Sequence, residues 1–302
     1  ERADEGYFGP DSVSWRLFTD PSSKLGGMAA LLMQALNPGM MMLFSKASST
    51  PDMGGDRVER TGRYIDTTIF GDKAHADAAG EQVRRMHHNA TWTDPTGTTL
   101  RADSQPWLAW THNAVVWGVV RGAEAFGPEL TAAEKDQFVL EQHAAAKLVG
   151  VETDSIPSTW QELQDEIEAG KDWLALCLPA ANVAATMRKP PMGGNPIAAW
   201  TGIIIQDGML SLLPEWALNL YGITRPKNLQ KAARATARIL ARARKSESAS
   251  ARIHTVIEQV QAATGGYGAD AALDTSNNEK APPVVLELVR ARGRLSFVTW
   301  SG

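Results

Sequence analysis

Apolar side chains recur along most of the chain with the helical period of about 3.6 residues, and period-2 alternation is scarce. The segment TWTDPTGTTLRA (91–102) predicts a short hairpin, and RLSFVTW near the end predicts a strand. Two capping-box patterns, TAAE (131–134) and STWQ (158–161), mark helix starts, and the first predicts a helix that runs to Gly150. The other predicted helices cover roughly 22–36, 56–69, 73–90, 105–126, 179–188, 197–220, 226–245, 249–264 and 282–292.

This pattern predicts an all-α fold with one large helical domain. The segment GGYGADAALDTSNNEKAPP is rich in glycine, asparagine and proline, which is typical of a loop. We therefore predict a helical domain over 1–265, followed over 266–302 by a C-terminal loop and a last helix that packs on the domain, with no firm boundary between the two.

Charge and hydropathy indicate whether the chain binds nucleic acids or membranes. The net charge of −4 and the pI of 5.9 give no general electrostatic reason to bind nucleic acid, and none is expected. The basic stretch 225–245 predicts a solvated outer helix; contact with a membrane surface or a nucleic acid is the alternative. No uncharged apolar stretch reaches membrane-spanning length, because Gln206, Asp207 and Gly208 interrupt the nearest candidate, 197–213. That candidate predicts two buried helical segments.

A single cysteine, Cys177, excludes an internal disulfide, a thiolate zinc site and an iron–sulfur cluster. It favours a reducing compartment, so we expect a cytoplasmic protein. A secreted protein without disulfides would have the same cysteine content. Because the chain begins at Glu1, secretion after cleavage of a targeting segment is the alternative.

Two adjacent histidines end the predicted helix 73–90, in the segment EQVRRMHHNA. Ala76, Gly80, Val83 and His87 follow helical spacing and share a small, apolar face. His88 lies about 100° further round, on a polar side with Arg84 and Arg85. His87 is thus the buried one, as either a ligand of a bound group or a core histidine hydrogen-bonded to a carbonyl.

The preceding helix, DRVERTGRYIDTTIF, carries a polar face made of Arg57, Arg60, Thr61 and Tyr64. Only Gly71 and Asp72 separate it from the histidine helix, so the two are expected to be antiparallel neighbours. Such a face is usually solvated. Beneath His87, it would instead suit an anionic group such as a propionate, or an oxygen ligand.

A third helix, PWLAWTHNAVVWGVVRGAEAFG, is apolar almost all round and carries His112, either a pocket residue or a core residue. The chain has no Glu-x-x-His pair, H-E-x-x-H, G-x-S-x-G or P-loop motif. One buried histidine without cysteines favours a prosthetic group that brings most of its own ligands, and haem needs only one axial imidazole.

Several segments, in order, are similar to a family of haem-dependent oxygenases that includes the latex-clearing (rubber-cleaving) proteins and the mycophenolic-acid B-type oxygenases. The resemblance covers about residues 6 to 223 and rests on these segments: GYFGPDSVSWRLFTDP, LLMQALNPG, DRVERTGRYIDTTIFGD, VRRMHH, PWLAWTHNAVVWG, LTAAEKDQFVLEQ and LLPEWALNLYGI.

The resemblance implies a globin-like core around haem b, with His87 as the proximal iron ligand. Arg84, in the Arg-x-x-His step, and His112, in the Trp-x-His step, are the further cofactor-binding candidates. The family's distal Arg-x-x-Lys-Thr face corresponds to Arg57, Arg60 and Thr61, which are the catalytic candidates. Glu141 matches a recurrent acidic position of the family, and a role in stabilising a helix is one interpretation of it.

The chain departs from the family pattern at two positions. Arg60 replaces a lysine, and a guanidinium has no lone pair to offer iron, although it can hydrogen-bond dioxygen. Asn37 stands where many relatives carry histidine before proline, which bears on substrate identity and on activity itself.

The resulting prediction is a haem b-dependent oxygenase that uses dioxygen to act on a small, apolar, unsaturated organic substrate, with no assignment of oligomeric state. A haem protein that is not an oxygenase (a peroxidase-like enzyme, sensor or carrier) is one alternative, motivated by Asn37 and Arg60. A helical binding module without a cofactor is the other.

Overall fold

The computed structural model describes residues 2–47, 55–187, 196–224, 226–245, 269–274 and 289–297. Helices dominate it, as predicted. The helices are α1 Val13–Thr19, α2 Ser22–Ala35, α3 Pro38–Ala47, α4 Gly55–Phe70, α5 Lys73–Asn89, α6 Gln105–Phe126, α7 Ala132–Glu141, α8 His143–Leu148, α9 Trp160–Ala169, α10 Leu178–Met187, α11 Pro196–Leu210, α12 Glu215–Leu220 and α13 Pro226–Lys245. The strands are β1 Thr91–Thr93, β2 Thr99–Arg101, β3 Ala269–Asp274 and β4 Val289–Phe297.

The chain divides into two compact units, one spanning Asp4–Leu240 and the other comprising Glu1–Ala3 with Ala241–Gly302. The division into 1–265 and 266–302 stays a prediction. In the second unit, β3 pairs in parallel with β4. The helix predicted over 282–292 is therefore wrong where it overlaps β4, because a short aliphatic run such as VVLELV suits a strand as well as a helix. The helix predicted over 249–264 lies outside the described residues.

In the larger unit, α2 and α6 approach each other most closely. A Cβ added to Gly26 would overlap the carbonyl of Gly118, and one added to Gly118 would overlap the carbonyl of Gly26. Glycine at both positions lets the two backbones touch, which brings buried side chains such as Met33 and Val119 into one core. The middle of this unit is therefore a tightly packed helix pair.

Helix ends follow the predicted capping chemistry, with one shift. Thr131 and Glu134 form the capping box of α7. The second box lies one residue later than predicted, with Thr159 and Glu162 capping α9. Gly150 adopts a positive φ of 87°, which ends the helical region after α8 as expected.

Two predicted helices differ in continuity. The helix predicted over 131–150 is broken at Gln142, whose side chain is buried and donates to the Ser14 hydroxyl at 2.8 Å. The 197–213 segment, predicted as two pieces, continues as α11 through Gln206 and ends at Leu210. Gln206 and Asp207 do not break this helix, because polar side chains leave the backbone hydrogen bonds of a helix intact.

The basic side chains that the structure describes on α13 lie on its outer side. Lys231, Arg234 and Arg238 are exposed, while Leu229 is buried. Thr236, which interrupts the apolar stripe, is also fully buried, and its hydroxyl donates to the carbonyl of Ile204 at 3.2 Å.

None of the described helices alone has the length and hydropathy to cross a bilayer. Helix α2 and the Pro38–Lys46 part of α3 are long and apolar enough only together, as a pair bent by 91°.

Glu141 holds the start of α1 from a distant part of the chain. Its carboxylate accepts the backbone N–H groups of Val13 at 3.2 Å and Ser14 at 2.7 Å, and the Gln137 amide at 2.9 Å. These N–H groups lack partners within the helix, and the negative charge complements the helix dipole. The helix-stabilising interpretation of Glu141 agrees with these contacts.

Replacing Glu141 with alanine should lower the free energy of unfolding by about 1–3 kcal/mol, because the N–H groups at the start of α1 lose a charged acceptor. Urea denaturation measures this loss. The matched control is Glu166→Ala, which removes an exposed carboxylate from α9 and should change stability by less than about 0.5 kcal/mol. Equal losses in both variants would contradict the capping role.

Candidate functional site

The candidate site is built on the hairpin formed by α4 and α5. Asp72 caps α5 by accepting the backbone N–H of His75 at 2.9 Å, and its side chain is buried. Gly71 sits against the carbonyl of Thr67, where a Cβ would clash. A two-residue connection of this kind makes the helices neighbours, and they pack along each other.

One face of α5 packs on α8. Ala76 and Gly80 are buried, and a Cβ on Gly80 would meet the carbonyl of Leu148. One turn later, the Nη1 of Arg84 donates to that same carbonyl at 2.6 Å. Arg84 is exposed, as the prediction of a polar side implies, and its guanidinium nevertheless reaches back to α8. Leu148 ends α8, so its carbonyl lacks a helical partner and attracts a cation.

The two adjacent histidines differ as predicted. His88 is exposed, with 71% of its side chain accessible, and its Nδ1 lies 3.0 Å from Asp103. Arg101 binds the same carboxylate, and its hydrogen bond lowers the pKa of Asp103 to about 2. His87 is partly buried in the last turn of α5. His88 thus belongs to a surface charge cluster, and His87 to the interior side of the helix.

Tyr64 is a partly buried residue on the face of α4 that also carries Arg60 and Thr61. Its hydroxyl oxygen is enclosed and has no hydrogen-bond partner in the described part of the chain. Burial raises the pKa of Tyr64 to about 12, while the nearby charge of Arg84 acts in the opposite direction. The hydroxyl therefore stays protonated as a hydrogen-bond donor beside Arg84.

The other candidates on α4 lie differently. Arg60 and Thr61 are exposed. Arg57 lies in the first turns of α4, but its side chain is outside what the structure describes. The structure thus brings Tyr64 and Arg84 together and leaves Arg60 and Thr61 on the accessible side of α4.

His112 lies in the middle of α6. Desolvation, the larger effect, and the nearby His143 lower the pKa of His112 to about 3. The residue as a whole is partly buried, and its imidazole is desolvated. His143 itself lies at 2.8 Å, through Nε2, from the carbonyl of Pro157. His112 therefore stays a neutral imidazole at ordinary pH.

Asn37 has a structural task at the start of α3. It is buried, and its Oδ1 accepts the backbone N–H of Met40 at 3.1 Å. Its Nδ2 has no hydrogen-bond partner within the described ranges. Asparagine is among the best N-cap residues, which gives one physical reason for its presence before Pro38.

Two spaces in the described part of the chain are lined by residues other than His87. An open cleft of about 460 Å³ is lined by Pro10, Arg16, Glu134 and Gln137 among others, and an enclosed space of about 20 Å³ by Leu32, Met209 and Tyr221 among others. In the described ranges, no group of three or more His, Cys, Asp or Glu side chains could hold a metal ion.

Comparisons with known proteins give one family. The model of the family described as "ER-bound oxygenase mpaB/B'/Rubber oxygenase, catalytic domain" matches residues 15–243. No curated protein and no solved structure matches the chain significantly. Because the match covers more than half of the chain and contains α4, α5 and α6, the chain belongs to this oxygenase family.

Proposed function

We propose that this protein is a haem b-dependent oxygenase that uses dioxygen to act on a small, apolar, unsaturated organic substrate. The observation that carries the proposal is His87, a partly buried histidine in the last turn of α5. It lies inside the region that the oxygenase family matches. A globin-like core around the cofactor is part of the same proposal.

The described residues fit haem in two respects. Haem brings four nitrogen ligands of its own to its iron, so one imidazole from the protein would suffice to hold it, and His87 would supply that imidazole. The acidic side groups of haem need donors, and the hydroxyl of Tyr64 and the guanidinium of Arg84 provide two. The position of His87 also helps, because the partial negative charge at the C-terminal end of α5 favours a cation bound to its ring.

Bound haem supplies the activation of dioxygen, and the side chains of this chain supply binding and orientation. Arg57, Arg60 and Thr61 follow helical spacing on α4, and we assign them the donation of hydrogen bonds to dioxygen. The exposure of Arg60 and Thr61 leaves their donor groups accessible to a ligand. His112, a neutral imidazole, can donate or accept a proton in a hydrogen bond without adding charge to the pocket.

Oxygen consumption tests the proposed reaction. The full chain reconstituted with haem should show a Soret band and consume oxygen with an unsaturated hydrocarbon, but not with the saturated hydrocarbon of the same length, because only the former offers a carbon–carbon double bond to oxidise. Uptake is measured with an oxygen electrode. A Soret band without oxygen uptake across a panel of unsaturated substrates would instead support a haem protein that is not an oxygenase.

A further inference from the structure

The hydroxyl of Tyr64 is an enclosed hydrogen-bond donor on the α4 side of the candidate site. Its oxygen is shielded from solvent and has no hydrogen-bond partner in the described part of the chain. Most buried polar groups in folded proteins are paired, because an unpaired one costs free energy. A donor in this state needs a water molecule or a ligand to accept its hydrogen bond.

Arg84 supplies a positive charge beside this donor. Its Nη1 is fixed on the carbonyl of Leu148 at 2.6 Å, and no carboxylate in the described ranges pairs with it. A guanidinium carries five N–H donors, so the bond to Leu148 orients the group and leaves other donors available. The charge is close enough to Tyr64 to influence the pKa of its hydroxyl.

The two groups come from different helices, and one of them, Arg84, lies about one helical turn before the predicted iron ligand. Tyr64 is on α4, whereas Arg84 precedes His87 by three residues on α5, which is about 4.5 Å along the helix axis. A guanidinium with a neutral hydroxyl donor is a combination that binds carboxylates, because both can donate to the same charged group. Haem carries two propionate carboxylates.

We propose that Tyr64 and Arg84 together bind a propionate carboxylate of the haem that is held through His87. This inference rests on the proposed function, since it presupposes that the chain binds haem. It adds Tyr64 as a positioning residue for the cofactor and gives the Arg84–Leu148 hydrogen bond the task of holding the guanidinium in place.

Two haems that differ only in their carboxylates test the inference. The full chain and its Tyr64→Phe variant are titrated with haem and with haem dimethyl ester, and the dissociation constants are followed at the Soret band. We expect Tyr64→Phe to weaken the binding of haem by about 10-fold, as the loss of one hydrogen bond to a charged group predicts, and to leave the binding of the dimethyl ester unchanged. Arg84→Lys, which keeps the charge but loses the planar fork, should show the same selective loss.

Tyr7→Phe is the matched control, because it removes a hydroxyl that pairs with Asp77 at 2.6 Å on the exposed side of α5. It should leave the binding of both haems unchanged. The thermal stability of haem-free Tyr64→Phe gives a second readout: it should equal or exceed that of the wild type, whereas a purely structural hydroxyl would lower it on removal.

The outcomes separate the two proposals. If the wild type binds haem and Tyr64→Phe binds both haems as tightly as the wild type, the carboxylate contact is wrong and the haem proposal stands. An equal weakening for both haems would also overturn it, because a water-bound or structural hydroxyl would act on both alike. A wild type that binds neither haem would overturn the proposed function itself, and with it this inference.

Discussion

Replacing His87 with alanine is expected to abolish the Soret band of the reconstituted protein and its substrate-dependent oxygen uptake. The imidazole is the proposed axial ligand, so its loss leaves haem held by peripheral contacts alone. We expect the affinity for haem to fall by more than about 100-fold. Soret titration of the purified variant measures this loss directly.

The chain offers the matched control at the next position. His88→Ala removes an imidazole from the same helix turn, but that ring is exposed and faces Asp103. It should retain the Soret band and oxygen uptake of the wild type. Loss of haem in both variants would indicate a general disturbance of the end of α5, and retention of a wild-type Soret band in His87→Ala would contradict the assignment of the ligand.

Much of the helical structure could be predicted from side-chain periodicity. The helix predicted over 105–126 has the bounds of α6, and the hairpin predicted over 91–102 contains β1 and β2. These elements have strong local signals: a long apolar run with proline near its start, and a short β-branched segment around an Asp-Pro-Thr-Gly turn. Local sequence is sufficient where it agrees with the packing.

Breaks and long-range contacts could not be predicted in the same way. No glycine or proline marks the break at Gln142; the position is distinguished by contacts of Glu141 and Gln142 with α1, about 128 residues earlier in the chain. Likewise, helical spacing placed Arg84 on a polar side, where it is exposed, but gave no sign of its contact with α8. A long side chain can reach an unpaired carbonyl such as that of Leu148, which depends on how α8 packs.

The candidate site shows the same division. The choice between His87 and His88 required only the angle between consecutive residues on a helix, and the exposure of His88 agrees with it. Tyr64 was visible on the polar face of α4, but its burial depends on the neighbouring helix, so periodicity could not single it out. Proximity between helices is a property of the tertiary structure.

The pH dependence of stability should reveal His112. Its pKa is about 3 in the folded chain and 6.5 for an ordinary histidine. As the pH falls below 6.5, the unfolded chain therefore takes up a proton that the folded chain refuses, and the free energy of unfolding decreases until the pH nears 3. Between pH 6.5 and 4.5 we expect this one residue to cost the haem-free protein about 2 kcal/mol.

His112→Gln should remove that contribution, because glutamine does not titrate. Urea denaturation at several pH values gives the free energy of unfolding of the wild type and of the variant. From pH 6.5 to 4.5 the value for the wild type should fall by about 2 kcal/mol more than the value for the variant, whatever the absolute stability of the variant. Parallel curves for the wild type and His112→Gln would show that His112 gains a proton in the folded state, and its site would then be open to water rather than deeply desolvated.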